Sequence, residues 1–170
     1  MSISVANLDT MPLTRARAVL HECCGSSRWV SAIAGRRPFG SREAVLSAAD
    51  EIWKSLDRSD WREAFSHHPR IGERSTAMPA GERASDWATA EQSGVDRAPS
   101  DIREMLAEVN REYEKRFGYI YIVCATGKTA EEMLAIARDR LRNDAETELK
   151  VAVEEQRKIT RLRLEKLLEA

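Results

Sequence analysis

Residues Tyr119–Ala125 form the only strand-like run in this chain of 170 residues, and they limit the folds that it can adopt. The run is apolar from end to end, which predicts that it is buried. Because the sequence contains no second strand candidate, the run cannot pair into a sheet. Buried extended backbone needs partners for its N–H and C=O groups. A polar ligand could supply those partners, and so could side chains and water; the sequence leaves both alternatives open.

The rest of the chain has the apolar spacing of amphipathic helices. Capping residues and glycines set the predicted boundaries, including a capping box at Thr129 and Glu132 and a terminating glycine at Gly118. Helices are predicted over 9–24, 29–34, 41–56, 59–68, 82–93, 101–117, 129–142 and 145–168, with loops over 70–78 and 95–99. We therefore predict an all-α fold: a single-domain helical bundle of about seven to nine helices over residues 1–170, with a buried extended segment near 119–125.

Composition excludes several classes of partner. The net charge is −1, so the basic surface typical of nucleic-acid-binding proteins is absent. No apolar run reaches the roughly 18 residues of a membrane span, and the N-terminus lacks the pattern of a secretory signal. The three cysteines, Cys23, Cys24 and Cys124, are too few for a disulfide framework and suit a reducing compartment. We expect a cytoplasmic protein without nucleic-acid or membrane partners.

His68 is the first candidate for a catalytic group. It ends the predicted helix 59–68, because Pro69 disfavours helical backbone at the residue before it. Trp61, Phe65 and His68 have the spacing of one helix face, so His68 points inward and His67 does not. The helix dipole favours a protonated imidazole at a helix C-terminus, which would make His68 a proton donor. The alternative is a histidine that only packs under the following loop, and position alone favours it.

Two more charged residues lie on apolar helix faces. Glu91 shares a face with Trp87. Arg163 interrupts a row on the last helix, and an inward arginine needs an anion or several acceptors. For Arg163 alone, a side chain that extends to solvent is the simpler interpretation. That row comprises Ala145, Leu149, Ala152, Gln156, Ile159, Arg163 and Leu167.

Taken in order along the chain, these segments resemble the family of 2-oxo-4-hydroxy-4-carboxy-5-ureidoimidazoline (OHCU) decarboxylases over nearly the whole length. The most specific match is His68-Pro69-Arg70-Ile71-Gly72, which looks like the family's catalytic His-Pro loop. The other similar segments are Arg36–Phe39, Glu91–Gln92, Phe117–Ala125, Arg140–Asn143 and Leu162–Leu164. The chain departs from the family at Ala88, where serine is common, and at Thr126, where arginine is common.

The resemblance implies a carboxy-lyase that converts OHCU to (S)-allantoin in urate (purine) degradation, without a cofactor or metal, as a homodimer. The sequence agrees with this expectation, since it has no GxGxxG, P-loop, HExxH or CxxC pattern. The resemblance also implies that His68, Glu91 and Arg163 are catalytic. The substrate-binding residues that it implies are Pro69, Ala88, Gln92, Tyr121, Ile122, Val123, Cys124 and Ala125.

Two other functions remain open at this point. Ala88 removes a hydroxyl from the implied pocket, which favours a divergent relative that binds or processes a related ureide. The long charged final helix favours a non-catalytic helical interaction module, which should expose an apolar stripe on that helix. An enzyme should instead gather its polar residues in a partly buried site.

Overall fold

The computed structural model describes residues 2–72 and 81–168, so residues 73–80 of the predicted loop 70–78 lie outside the described residues. Within the described residues the chain forms helices and no strand, which confirms the all-α prediction. There are ten helices in this part of the chain, one more than the upper end of the prediction. They are α1 (Val5–Thr10), α2 (Leu13–Cys23), α3 (Ser27–Gly35), α4 (Arg42–Ser55), α5 (Arg58–Ser66), α6 (Gly81–Glu91), α7 (Ser93–Asp96), α8 (Ser100–Phe117), α9 (Ala130–Arg140) and α10 (Ala145–Leu167).

The additional helices arise at two places where the predicted boundaries were wrong. The predicted helix 9–24 begins only at Leu13, directly after Pro12, and the separate helix α1, capped by Ser4, precedes it. Gly94 was expected to end a helix, but it lies inside α7. A Cβ atom at Gly94 would lie 2.6 Å from the carbonyl oxygen of Lys128, so close backbone approach explains the glycine there.

Other predicted boundaries are confirmed. Gly118 follows α8 with a φ of 79°, the left-handed conformation that glycine adopts most easily. Thr129 and Glu132 form both hydrogen bonds of a capping box at the start of α9. These two caps fix the two helices that flank the extended segment.

The chain forms two compact units, Met1–Ala64 with Arg157–Ala170, and Phe65–Gln156. In the first unit, the Trp29 indole donates a hydrogen bond to the Ala49 carbonyl, and the Arg37 guanidinium donates to the carbonyls of Leu8 and Met11. The segment Arg36–Phe39 is thereby tied to α1. A single domain over residues 1–170 stays a prediction.

The second unit is built around the extended segment. The run Tyr119–Ala125 was predicted to be buried; residues 121–125 are buried and have no regular secondary structure, whereas Tyr119 and Ile120 are partly buried. Tyr121 packs against Tyr113 of α8 with ring centroids 5.4 Å apart, and its hydroxyl donates to the Met133 carbonyl of α9. The segment is therefore part of the core of this unit rather than a surface loop.

Across residues 2–72 and 81–168, none of the helices has the length and hydropathy that crossing a membrane requires.

Candidate active site

His68 lies just beyond α5, which ends at Ser66 and not at His68 as predicted. Its N–H donates to the Phe65 carbonyl at 3.2 Å, so one helix-like turn follows the helix before Pro69 stops it. His68 is partly buried and His67 is exposed, which confirms the predicted difference between the two rings. The Nε2 atom of His68 lies 2.7 Å from Oε1 of Gln156, a fully buried residue of α10.

The turn His68–Gly72, called the His-Pro turn below, is held mainly by α8. The Arg70 guanidinium donates two hydrogen bonds to the Glu114 carboxylate, at 3.0 and 2.8 Å. Asn110, a buried residue one turn earlier on α8, donates to the Ile71 carbonyl at 2.7 Å. The Gly72 N–H donates to Oε1 of Gln92 at 3.2 Å. Gln92, predicted to bind substrate, thus also holds this turn.

The extended segment takes its polar partners from side chains. The Ile122 carbonyl accepts a hydrogen bond from Nη1 of Arg140 at 2.7 Å. The Cys124 N–H donates to Oε2 of Glu155 at 2.7 Å, and the Cys124 carbonyl accepts from Nζ of Lys128 at 2.8 Å. For these groups the structure answers the question that the sequence left open: protein side chains supply the partners.

Arg140 is itself fixed by a buried network. Its Nε donates to Oε1 of Glu148 at 2.7 Å, and Tyr113 donates to the same carboxylate. The Arg140 guanidinium lies 5.0 Å from the ring centroid of Tyr121. Burial raises the pKa of both Tyr113 and Tyr121, so the two phenols stay neutral. Arg140, the first residue of the segment Arg140–Asn143 that resembled the family without an assigned role, therefore anchors the extended segment.

Two carboxylates lie within electrostatic range of Cys124. Burial raises the pKa of its thiol, and the charges of Glu155 and Glu91 add to that rise. Glu91 is the last residue of α6 and is partly buried, as are Ala88 one turn earlier and Pro69. Glu91 and the segment Tyr121–Ala125 thus belong to the same unit, and the charge of Glu91 acts on the Cys124 thiol.

Arg163 is buried, with 5% of its surface exposed, which excludes the alternative of a side chain extended to solvent. It belongs to the first unit, where its Nη1 donates to the Glu22 carbonyl at 3.4 Å. The charge of Arg163 also acts on Cys24, whose pKa is nevertheless raised to about 11 because burial outweighs it. The inward orientation predicted for Arg163 is confirmed; its role in binding an anion stays a prediction.

Sequence reasoning missed Gln156, Glu155 and Asn110, the residues that hold His68, Cys124 and Ile71. For Gln156 a signal existed, because this polar residue stands on the same apolar row of α10 as Arg163. Within the part of the chain that the structure describes, no group of three or more His, Cys, Asp or Glu side chains is arranged to hold a metal ion.

Comparison with known proteins agrees with the resemblance. The OHCU decarboxylase family profile matches residues 9–165. The uric acid degradation bifunctional protein TTL of Arabidopsis thaliana is 40% identical over 149 residues, which are 85% of this chain and 45% of that protein. The 2-oxo-4-hydroxy-4-carboxy-5-ureidoimidazoline decarboxylase of Amia calva is 26% identical over 145 residues, 82% of this chain and 79% of that protein. The chain spans less than half the length of the bifunctional relatives.

A crystal structure of an OHCU decarboxylase, determined in the presence of (S)-allantoin, has the same fold. It superposes with a TM-score of 0.78 at 34% sequence identity, and the match covers 90% of this chain and 99% of that one. The profile covers nearly all of the sequence, and the His-Pro turn and the extended segment both lie inside the matched region. This chain belongs to the OHCU decarboxylase family.

Proposed function

We propose that this chain decarboxylates OHCU to (S)-allantoin, a step in the degradation of urate. The observation that carries the proposal is His68, held at Nε2 by a buried glutamine in a turn that is fixed on both sides. A partly buried imidazole with one nitrogen fixed is suited to moving a proton at a defined point. Family membership supports the substrate and the product.

The reaction needs orientation and a proton source more than it needs an electron-accepting group. When the bond from the ring carbon to the carboxylate breaks, CO2 leaves and the electron pair passes into the C=N bond of the substrate ring. A proton must then reach one face of the carbon that carries the ureido group, which sets the (S) configuration. His68 is proposed to deliver that proton, and a fixed imidazole can favour one face.

The remaining roles follow the resemblance. Arg163 is proposed to bind an anionic oxygen of the substrate through two donors of its planar guanidinium. Glu91 and Gln92 are proposed to bind the N–H groups of the ureido chain and ring. Pro69, Ala88 and the segment Tyr121–Ala125 are proposed to line the substrate ring; Ile122 and Cys124 would do so as backbone already held by Arg140 and Glu155.

The direct test uses the purified chain and freshly prepared product of urate oxidation. The proposal predicts release of one CO2 for each allantoin and formation of the (S) enantiomer, followed by circular dichroism. Formation of racemic allantoin at the rate of the protein-free control would contradict it.

A divergent ureide-processing relative is the second candidate, and Ala88 favours it. Ala88→Ser restores the hydroxyl that is common in the family. If the chain acts on OHCU, Ala88→Ser should change KM only modestly. If Ala88 instead reflects a different substrate, activity on OHCU should be weak in the native chain and should rise with the serine.

Metal independence stays a prediction and is tested separately. Turnover should be unchanged after treatment with EDTA. Loss of turnover that zinc or magnesium restores would contradict a cofactor-free reaction.

A homodimer and a cytoplasmic location are also proposed. The family resemblance supports the first. The three cysteines, all free and buried, suit a reducing compartment. Sedimentation of the purified chain would test the dimer.

A further inference from the structure

We propose that Gln156 is a positioning residue that fixes the orientation and the tautomer of His68. In this arrangement Nε2 carries the proton of the neutral ring, and Nδ1 is the nitrogen that takes up and releases the reactive proton. The inference rests on the proposed function, because it assigns a role within the same reaction.

The proposed donor and acceptor follow from the amide oxygen of Gln156 facing the ring. Nε2 of His68 and Oε1 of Gln156 are 2.7 Å apart, and Gln156 has no exposed surface. A buried side-chain amide must be hydrogen-bonded, since it has no water to replace a missing partner. An amide oxygen can only accept, so Nε2 must donate. A neutral imidazole has one N–H, which leaves the basic lone pair on Nδ1.

The chemistry of a glutamine suits this role better than that of a carboxylate. A glutamate at this place would favour the charged ring strongly, which would oppose release of the proton. The amide of Gln156 carries no charge, and its oxygen accepts from Nε2 whether the ring is neutral or charged. The ring can therefore gain and lose a proton at Nδ1 without losing its orientation.

The residue before Gln156 holds a second part of the proposed site to the same helix. Glu155, which precedes Gln156 on α10, accepts the Cys124 N–H at 2.7 Å. Consecutive residues of one helical turn thus hold His68 and the extended segment. A site whose residues are held by side chains of a rigid helix keeps its geometry better than one built on loops alone.

The first test reads the tautomer directly, without substrate. The sequence contains three histidines, so ring ¹⁵N spectra are simple, and comparison with His68→Asn assigns the His68 signals. We expect wild-type His68 to be the Nε2–H tautomer. In Gln156→Leu, whose side chain has a similar size but no acceptor, we expect a mixture of tautomers. An Nδ1–H tautomer in the wild type, or a mixture like that of exposed His67, would overturn the inference.

The second test measures turnover. Gln156→Leu should lower kcat on the order of 10²-fold with little change in KM, since a misplaced reacting group can cost that much. Gln156→Glu keeps an oxygen acceptor but favours the charged ring, so we expect ring ¹⁵N signals of a doubly protonated imidazole and a kcat that stays below that of the wild type. Glu154→Gln, an exposed position on the same helix, is the matched control and should behave as wild type. If Gln156→Leu does not fold, Gln156→Asn withdraws the amide by one carbon and serves instead.

The two tests separate this inference from the proposed function. Wild-type kcat in a folded Gln156→Leu variant would overturn the positioning role while leaving the decarboxylase proposal intact. An inactive wild-type chain with an Nε2–H tautomer that is lost in Gln156→Leu would overturn the proposed reaction, while the role in fixing the ring would stand.

Discussion

Two segments without regular secondary structure lie in the unit Phe65–Gln156, and they are held in opposite ways. Residues 121–125 are buried and are anchored by Arg140, whose partner Glu148 is fully buried. The His-Pro turn is anchored by the pair Arg70–Glu114, whose side chains are 45% and 37% exposed. The extended segment therefore depends on a buried ion pair. The His-Pro turn depends partly on an ion pair that is exposed to solvent.

This difference in burial predicts that changes at one segment mainly affect stability and changes at the other mainly affect turnover. Removing one partner of a buried ion pair leaves an uncompensated charge in the interior, which strongly destabilises the fold. An exposed ion pair contributes little to the free energy of unfolding, because water and salt screen it. We therefore expect substitutions around the extended segment to lower stability, and substitutions in the His-Pro turn to lower activity in a chain that remains folded.

The largest expected effect is that of Arg140→Ala. It leaves Glu148 buried without its guanidinium and removes the donor to the Ile122 carbonyl. The free energy of unfolding should fall by about 3–5 kcal/mol, measured by urea denaturation. The double variant Arg140→Met/Glu148→Leu, which removes both charges, should be less destabilised than Arg140→Ala.

The control for this prediction is Arg142→Ala, whose side chain is 81% exposed in an ion pair with Asp139. It should change stability by less than about 0.5 kcal/mol. Equal losses in Arg140→Ala and Arg142→Ala would show that the buried network does not support the segment.

The second effect concerns the other buried arginine. If Arg163 binds a substrate oxygen, Arg163→Ala should weaken substrate binding about tenfold to a hundredfold, in line with charge-assisted hydrogen bonds of about 1.5–3 kcal/mol. Arg163→Lys should restore only part of the affinity, because lysine lacks the planar fork. Steady-state constants check this prediction. The control variant is Arg161→Ala, because the Arg161 side chain is 43% exposed. Wild-type kinetics in Arg163→Ala would mean that the anion is bound elsewhere.

The smallest effect is a pH dependence at the His-Pro turn. The hydrogen bonds from Arg70 lower the pKa of Glu114 below its usual value of 4.5. A lowered folded-state pKa gives stability that is present above pH 4.5 and is lost as the pH falls through the folded-state pKa. Because both side chains are more than one-third exposed, Glu114→Gln should cost less than about 1 kcal/mol at neutral pH and nothing in acid. Melting curves of the wild type and Glu114→Gln, recorded from neutral pH to below pH 4.5, check this prediction. A larger loss of stability at neutral pH would show that the His-Pro turn contributes as much to stability as the extended segment.

The sequence predicted local features well and long-range partners poorly. Local patterns predicted the caps at Gly118 and Thr129 and the difference between His67 and His68, and the structure confirms them. They also predicted the buried run Tyr119–Ala125, which is confirmed for residues 121–125. The partner of His68 lies 88 residues away, and no local pattern says which residue of α10 the ring will meet. Helical periodicity placed Gln156 on an inward face, but only the tertiary fold gives it a partner.

Two predicted boundaries were wrong, and each has its own reason. Gly94 was predicted to end a helix but lies inside α7, and the close Lys128 backbone, a tertiary contact that the sequence does not display, explains why this position is a glycine. The end of α5 was placed two residues late: the helix ends at Ser66, and a single turn closed by the His68 N–H and the Phe65 carbonyl precedes Pro69.

One paired measurement tests the central claim most directly: kcat and melting temperature for His68→Asn beside His67→Asn. The account predicts that His68→Asn lowers kcat by about 10²–10⁴-fold, the usual contribution of an acid–base group. It also predicts that this variant stays folded, while His67→Asn keeps nearly wild-type turnover. Equal losses of kcat in the two variants, or a loss in His68→Asn that unfolding explains, would contradict the assignment of His68 as the proton-transferring residue.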